Sequence, residues 1–341
     1  MVKGKFQCNK IGLLVFSLGI SVLGIAQDIH FSQFYEAPLV RNPALAGIFT
    51  GNLRVQTLFR DQWNSVTTAY RTFSLSAEYK VPIGKSDDFF TAGLQVLNDR
   101  AGTVSWITNQ VLPAINYHKS LSKEKNRYLS LGFMAGMVER RFDRTRMTTN
   151  SMYNGGGDGE TYLQPKYSYW DASVGMSYNS QLGENSENNF YLGAAYHHLN
   201  KPKASFFGDA SVTVTPRWAA QAGVRMAVTP VSYLTIQANG SSQGTYSELL
   251  VGALYGMKVG AEEEAARYIL HGGVFLRMQD AIIPVVKVER LPFALSISYD
   301  VNISRLRSSS YGRGGLEMGL SFAGFTSQNS TALNAVLCPR F

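Results

Sequence analysis

The feature that most constrains this chain is a two-residue hydrophobic period, recurring in runs of about ten residues, the length a tilted strand needs to cross a bilayer. Trp170, Ala172, Val174, Met176 and Tyr178 alternate with Asp171, Ser173, Gly175 and Ser177. The same pattern runs through 90–96, 129–137, 218–226 and 293–301. Successive side chains of a strand point to opposite faces, so each run builds one apolar face and one of different character. That second face decides the class. A soluble sandwich would place Lys, Glu and Thr on it. Here it carries Gly, Ser, Gln, Thr and isolated charges, as expected for the crowded lumen of a membrane barrel. Tyr79, Tyr117, Tyr128, Tyr178, Tyr196 and Tyr299 fall near run ends, where an interfacial girdle would sit.

Composition points the same way. Only 16% of the 341 residues are charged, below the quarter or so of a typical soluble domain. Yet the mean hydropathy of −0.09 is far too low for a bundle of membrane helices. Beyond residue 26 no stretch of 18 apolar residues occurs. The 19 Phe, 18 Tyr and 4 Trp exclude a disordered chain.

The pattern predicts an all-β, single-domain, antiparallel transmembrane barrel of the outer membrane with about 14 strands. They fall at 51–60, 70–81, 89–98, 109–118, 128–137, 169–178, 190–199, 216–226, 231–239, 247–256, 268–277, 281–289, 292–301 and 314–323. An even number suits a bacterial barrel, and the sheet must close because lipid leaves no backbone group unpaired. Pro113 and Pro284 fall inside two of these strands and cannot donate to a ladder. With the first strand rising from the periplasm, even-numbered connections should be short turns and odd-numbered ones longer surface loops. The connections 138–168, 200–215 and 302–313 fit the long set. The acidic 257–267 and the short 278–280 are exceptions.

Lys3, Lys5 and Lys10 precede an apolar run from Ile11 to Ala26 that ends in Gly24-Ile25-Ala26. That is the layout of a secretory signal peptide, and the run is short for a spanning helix. The expected division is therefore a signal peptide at 1–26, a periplasmic N-terminal segment at 27–50, the transmembrane barrel at 51–323 and a C-terminal tail at 324–341. Removing the leader lowers the formal net charge from +8 to +5 and leaves no basic stripe for nucleic acid. It also removes Cys8, so Cys338 is the remaining cysteine and no internal disulfide is expected.

Several short motifs stand in order along the mature chain. They are Gln27-Asp28-Ile29-His30-Phe31-Ser32-Gln33-Phe34-Tyr35, Asn42-Pro43-Ala44-Leu45-Ala46-Gly47, Phe59-Arg60-Asp61-Gln62-Trp63 and Asn98-Asp99-Arg100-Ala101-Gly102. Further on come His198-Leu199-Asn200-Lys201-Pro202, Ser298-Tyr299-Asp300, Gly315-Leu316-Glu317-Met318-Gly319-Leu320 and the terminal Cys338-Pro339-Arg340-Phe341. Together they resemble the PorP/SprF family of Bacteroidetes outer-membrane proteins, from about residue 27 to the last. Gly315 departs from the His that many relatives carry before the Glu. The resemblance implies a role in type IX secretion, gliding motility or surface attachment of secreted adhesins. It implies partners in the type IX machinery or a secreted adhesin. It assigns no individual role to the motif residues.

A catalytic reading finds no support. His30, His118, His197, His198 and His271 include no pair with metalloprotease spacing, and there is no Gly-x-Ser-x-Gly elbow or P-loop. His197 and His198 should face opposite sides of a strand and so cannot share an ion. No cofactor or metal is expected. The 154–160 segment lacks the spacing of a calcium loop and reads as a loop tip. Arg140, Arg141, Arg144 and Arg146 read either as a dock for an acidic partner or, the favoured reading, as a solvated loop base. Arg54, Glu78, Asp171, Arg225, His271 and Glu317 are predicted to face the lumen, where they would either rigidify the barrel or tune a channel. Asn42-Pro43 restricts the backbone to an extended or turn geometry, and Gly47 can take positive φ. This segment is either a periplasmic docking element or a plug. The last strand ends near Ala323, so Phe341 closes a tail rather than a strand.

Overall fold

Alternation of this kind, repeated fourteen times, builds a sheet whose edges can meet. In the computed structural model they do. The structure describes residues 28–324 apart from 65–67, 85–86, 123, 158–163, 261–267 and 305–306. The expected signal peptide and the tail with Cys338, Pro339, Arg340 and Phe341 lie outside the described residues.

The strands are β1 (Leu53–Gln62), β2 (Tyr70–Pro82), β3 (Phe89–Ala101), β4 (Trp106–Ser122), β5 (Arg127–Arg141), β6 (Lys166–Gln181) and β7 (Asn189–His197). They continue as β8 (Arg217–Thr229), β9 (Ser232–Gln243), β10 (Tyr246–Val259), β11 (Tyr268–Arg277), β12 (Ala281–Arg290), β13 (Phe293–Asn302) and β14 (Arg313–Gly324). Each pairs antiparallel with its neighbours in sequence, and β14 returns to β1 from Leu53↔Gly324 to Gln62↔Gly315. The ring is closed, so no strand edge is left for lipid to meet. Among the described residues no helix is long and apolar enough to span a membrane; the strands do so.

The outer face is the apolar half of the alternation, with Leu131, Trp170, Trp218 and Val286 all more than 60% exposed. Arg54, Glu78, Asp171, Arg225, His271 and Glu317 are all buried on the inner face, as their register predicts. Tyr79, Tyr117 and Tyr299 face outward, whereas Tyr128 turns inward and packs against Phe89 with ring centroids 5.4 Å apart.

Pro113 and Pro284 are accommodated without a slip. The β4–β5 ladder passes from Val111↔Met137 to Ala114↔Met134, and β12–β13 from Ile282↔Val301 to Val285↔Ser298, each in unchanged register. Strands β4 to β6 run longer than the hydrophobic pattern indicates. Their extensions carry an aromatic cluster in which Phe206 packs edge-on against Trp106, Phe142 and Tyr167, with centroids 4.5–5.1 Å away. This cluster props 142–157 and 198–216 at one end of the ring, called here the long-loop end.

Of the two readings of the N-terminal segment, docking element or plug, residues 28–50 take the form of a plug and fill the lumen. Residues 28–50 form a 3-10 turn (Phe34–Glu36), one helical turn (Pro38–Arg41) and a second 3-10 turn (Pro43–Leu45), nearly all buried. Such short turns lack the length to be stable alone; the wall around them supplies the missing contacts. Phe34 and Tyr35 pack on Leu250, Phe275, Ile283 and Val285, and Phe31 packs with Leu58 and Leu97. Leu39 packs with Leu112, Ala114 and Met134. Burying each of these large side chains stabilises the assembly by about 2 kcal/mol.

Candidate functional site

The plug is held at three levels, and the first lies toward the long-loop end. Glu317 on β14 accepts the backbone N–H groups of Ser32 and Gln33, each at 2.7 Å, just ahead of the first 3-10 turn. Ser32 Oγ donates to Asp300 at 2.7 Å, and Gln33 Nε2 donates to Ser298 Oγ at 3.0 Å. Arg60 on β1 ties these together. Its Nη1 donates to the His30 carbonyl at 2.8 Å and lies 3.2 Å from Glu317, and Nη2 lies 3.4 Å from Asp300. Arg277 adds an ion pair to Asp300 at 3.1 Å and a hydrogen bond to Ser32 Oγ. Two guanidinium groups thus face two carboxylates in a buried site, and backbone N–H groups take the remaining lone pairs. Charge-assisted bonds of this kind are roughly twice as strong as neutral ones.

The second level is the Asn42–Gly47 turn. Asn42 Oδ1 accepts the Ala44 N–H at 2.8 Å, capping the second 3-10 turn. Asn42 Nδ2 is within 3.0–3.2 Å of the Met176 and Ala194 carbonyls and of Gln221 Oε1. Asn116 Nδ2 donates to the carbonyls of Ala44 and Ala46 at 2.8 Å, and Ser177 Oγ to Ala44 at 2.9 Å. The Gly47 N–H donates to Glu78 at 2.7 Å, and Glu78 also binds Arg54 at 2.8 Å. Gly47 has φ +86°, and a Cβ there would overlap Thr91 and approach His118 Nε2 to 2.8 Å. Opposite the turn, the wall is made of glycine. A Cβ on Gly132 would lie 2.4 Å from the backbone of Pro43 and Ala44, and one on Gly175 would overlap Asn42.

The third level pins Asp28. His198 lies between Asp171, 2.9 Å from Nδ1, and Asp28, 2.7 Å from Nε2; Arg217 is 3.4 Å from Asp28. His198 follows β7 at φ +58°. That left-handed turn breaks the alternation, so His197 and His198 are both buried instead of facing opposite sides. His197 Nε2 lies 3.0 Å from the Arg41 carbonyl. Burial opposes charge on His198, but Asp28 and Asp171 outweigh it and raise its pKa to about 9.

These levels give the segment a direction. Asp28 sits at the long-loop end, and Gly47 sits near the opposite end, where β1 begins. The chain therefore enters its own barrel from the long-loop side and runs down the lumen.

Of the motif residues, Asp28, His30, Ser32, Gln33, Phe34, Tyr35, Asn42, Pro43, Gly47, Arg60, His198, Asp300 and Glu317 converge on this plug. Gln62, Trp63, Asn98, Asp99, Gly102, Pro202 and Tyr299 do not. Trp63 (φ +62°) tilts against Tyr70 after β1, with centroids 5.2 Å apart, and Gln62 pairs with Gly315. Asp99 accepts from Thr72 at 2.6 Å, Asn98 donates to Asn109 at 2.6 Å, and Gly102 turns the chain at φ +67°. The Pro202 carbonyl accepts from the Val214 N–H, and Tyr299 faces outward. Asn116, Gln221 and Arg277 were not singled out by sequence. One signal was available. In β12 the inner residues Ala281, Ile283 and Val285 are as apolar as the outer Ile282 and Val286. A strand apolar on both faces is one packed on both sides, and the inner packing here is Phe34 and Tyr35.

A closed fourteen-stranded ring with an apolar exterior and a lumen filled by its own N-terminal segment is a plugged β-barrel of the outer membrane. The chain belongs to the PorP/SprF family: residues 24–322 match the model described as type IX secretion system membrane protein PorP/SprF. No curated protein sequence matches the chain. Among solved structures it is similar to CdiB from Acinetobacter baumannii, with 8% identity and TM-score 0.46 over 80% of this chain and 60% of that one. It is also similar to the P. putida toluene transporter TodX, with 11% identity and TM-score 0.47 over 84% and 93% of the two chains. The translocator domain of the autotransporter NalP from Neisseria meningitidis has 11% identity and TM-score 0.41 over 80% and 88%. The chain spans less than two thirds of the length of CdiB.

Proposed function

We propose that this protein is a non-enzymatic outer-membrane scaffold that supports type IX secretion or holds secreted adhesins at the cell surface. The observation that carries the reading is the plug. Its three levels span the lumen, and glycines on the wall are spaced to receive it. A protein cargo has no path through such a barrel, so a partner meets its ends. The propped stretches 142–157 and 198–216 offer such a surface at the long-loop end, which faces outward if the first strand rises from the periplasm. The filled lumen favours this scaffold over a channel for small molecules, the task of many barrels of this size.

Deleting the gene and measuring surface display of type IX cargo tests the reading. Loss of display of one or more cargo proteins is expected, and unchanged display of all of them would sink it. Single-channel recording on the purified barrel separates the alternative, because a plugged scaffold stays silent and a transport channel conducts.

A further inference from the structure

The outer wall below the long loops carries a charge pattern that the plug does not use. Cross-strand partners share one face of a sheet. Arg71 on β2, Arg100 on β3, Ile107 on β4, Arg141 on β5 and Lys166 on β6 are partners in one continuous row. The four cations of this row are exposed on the outer face. Arg146 joins them from the 142–157 stretch, because its Nη1 and Arg100 Nη2 donate to the same Ser105 Oγ, at 3.3 and 2.9 Å. Asp61 lies 3.1 Å from Arg71, Glu139 2.6 Å from Lys166 and Asp143 3.2 Å from Arg146. Five cations against three carboxylates leave the strip net positive.

The strip is not part of a uniform girdle. Across the ring, the outward positions at the same end are Trp218, Ser242 and Ser247 in one row, with Ile282 and Val301 farther round, all exposed and none charged. Nor does the strip lie at one depth. Barrel strands tilt by about 40°, so rows of partners climb the wall. The row that leaves Leu53 at the start of β1 arrives at Trp218, at the long-loop end of β8. Climbing by roughly 3 Å per strand, the cation row rises about 12 Å from Arg71 to Lys166. Its lower end adjoins the apolar band, since Phe73 is the next outward residue below Arg71. Its upper end stands clear of that band: Ser168 separates Lys166 from Trp170, and Glu139 separates Arg141 from Met137.

Cations that border a membrane attract anionic headgroups, and the planar guanidinium fork matches phosphate. A glycerophospholipid presents its phosphate at a single depth. The inclined row instead matches a glycolipid with phosphates on its acylated sugars and further anionic groups on the sugars beyond, which is the chemistry of lipopolysaccharide. We propose that Arg71, Arg100, Arg141, Arg146 and Lys166 seat one lipopolysaccharide molecule against the outer wall of β2 to β6. Its acyl chains lie on the apolar band and its anionic sugars follow the cations upward, with the long-loop end in the outer leaflet. An acidic protein is the poorer fit, because the lower cations sit at headgroup depth beside apolar side chains.

The test uses the full mature chain in detergent, with EDTA present to remove divalent bridges. Native mass spectrometry follows its titration with lipopolysaccharide lacking O-antigen, with the same lipid dephosphorylated, and with phosphatidylglycerol. One lipopolysaccharide should bind saturably, and the other two lipids at least about tenfold more weakly. Arg100→Gln combined with Arg141→Gln should weaken that binding about tenfold, as loss of two exposed ion pairs implies. Arg290→Gln, an exposed cation at the opposite end of β12, should leave it unchanged. Both variants should melt with the native protein, since the substituted side chains are exposed. Equal affinity for phosphatidylglycerol or for the dephosphorylated lipid overturns the proposal, as does a double variant that binds like the native protein. Polyglutamate that outcompetes lipopolysaccharide, and loses its hold in the double variant, would assign the strip to an acidic protein and overturn it too.

Discussion

The carboxylate of Glu317, on the last strand, accepts the backbone N–H of Ser32, the fifth described residue of the chain, at 2.7 Å across a separation of 285 residues. The neighbouring N–H of Gln33 occupies the other carboxylate oxygen, also at 2.7 Å. This pair of bonds, inside a cluster with Arg60 and Asp300, is the upper clamp of the plug.

Glu317→Gln keeps one acceptor and replaces the other with a donor facing a donor. The expected loss is about 2 kcal/mol, as for a hydrogen bond to a charged group. Amide exchange across residues 32–36 should accelerate roughly thirtyfold while the barrel strands stay protected. Exchange no faster than in the native protein would show that Glu317 does not clamp the plug.

Gly132→Ala acts from the wall. The added methyl group would lie 2.4 Å from the backbone of Pro43 and Ala44, which no side-chain rotation can relieve. The plug should be displaced while the ring persists, converting a silent barrel into a conducting one in planar bilayers. A variant that stays as silent as the native protein, with 42–47 still protected from exchange, would refute this.

The ion pairs of His198 set a pH dependence. Its pKa is raised in the folded state to about 9, so its contribution is fully present below the free-imidazole value of about 6.5. That contribution fades as the pH rises through about 9. Exchange at residues 28–31, corrected for its intrinsic pH dependence, should therefore accelerate across this window. His198→Gln should remove the step. A native profile flat across the window contradicts the assignment.

Processing is checked by intact mass. The mature chain should begin at Gln27, and the unfolded protein should react with one equivalent of thiol reagent, at Cys338. A second reactive thiol would mean that Cys8 is retained.

The ring was legible because its signal is local. All fourteen strands follow from alternation within about ten residues, and Pro113 and Pro284 disturb the ladders without ending them. The plug was legible only as one of two readings of the 42–47 segment. Its turns have no period, and its contacts join residues such as Ser32 and Glu317, or Asn42 and Gln221, that lie far apart in sequence. The family motifs named Arg60, Asp300 and Glu317, and also Ser32 and Gln33, but not that they meet. Glycine on the inner face read as crowding in general, whereas Gly132 and Gly175 mark where a particular turn is seated. His198 escaped because one left-handed residue reverses the facing that alternation predicts.

The route of the N-terminal segment sets an order for biogenesis. Ser32 and Gln33, made early, have their clamp on β13 and β14, which are made last. They therefore take their seat only when the final strand is in place, whereas the 42–47 turn is held by earlier strands. Sealing of the lumen then reports that the barrel is complete, and a barrel stalled short of β14 would remain unsealed.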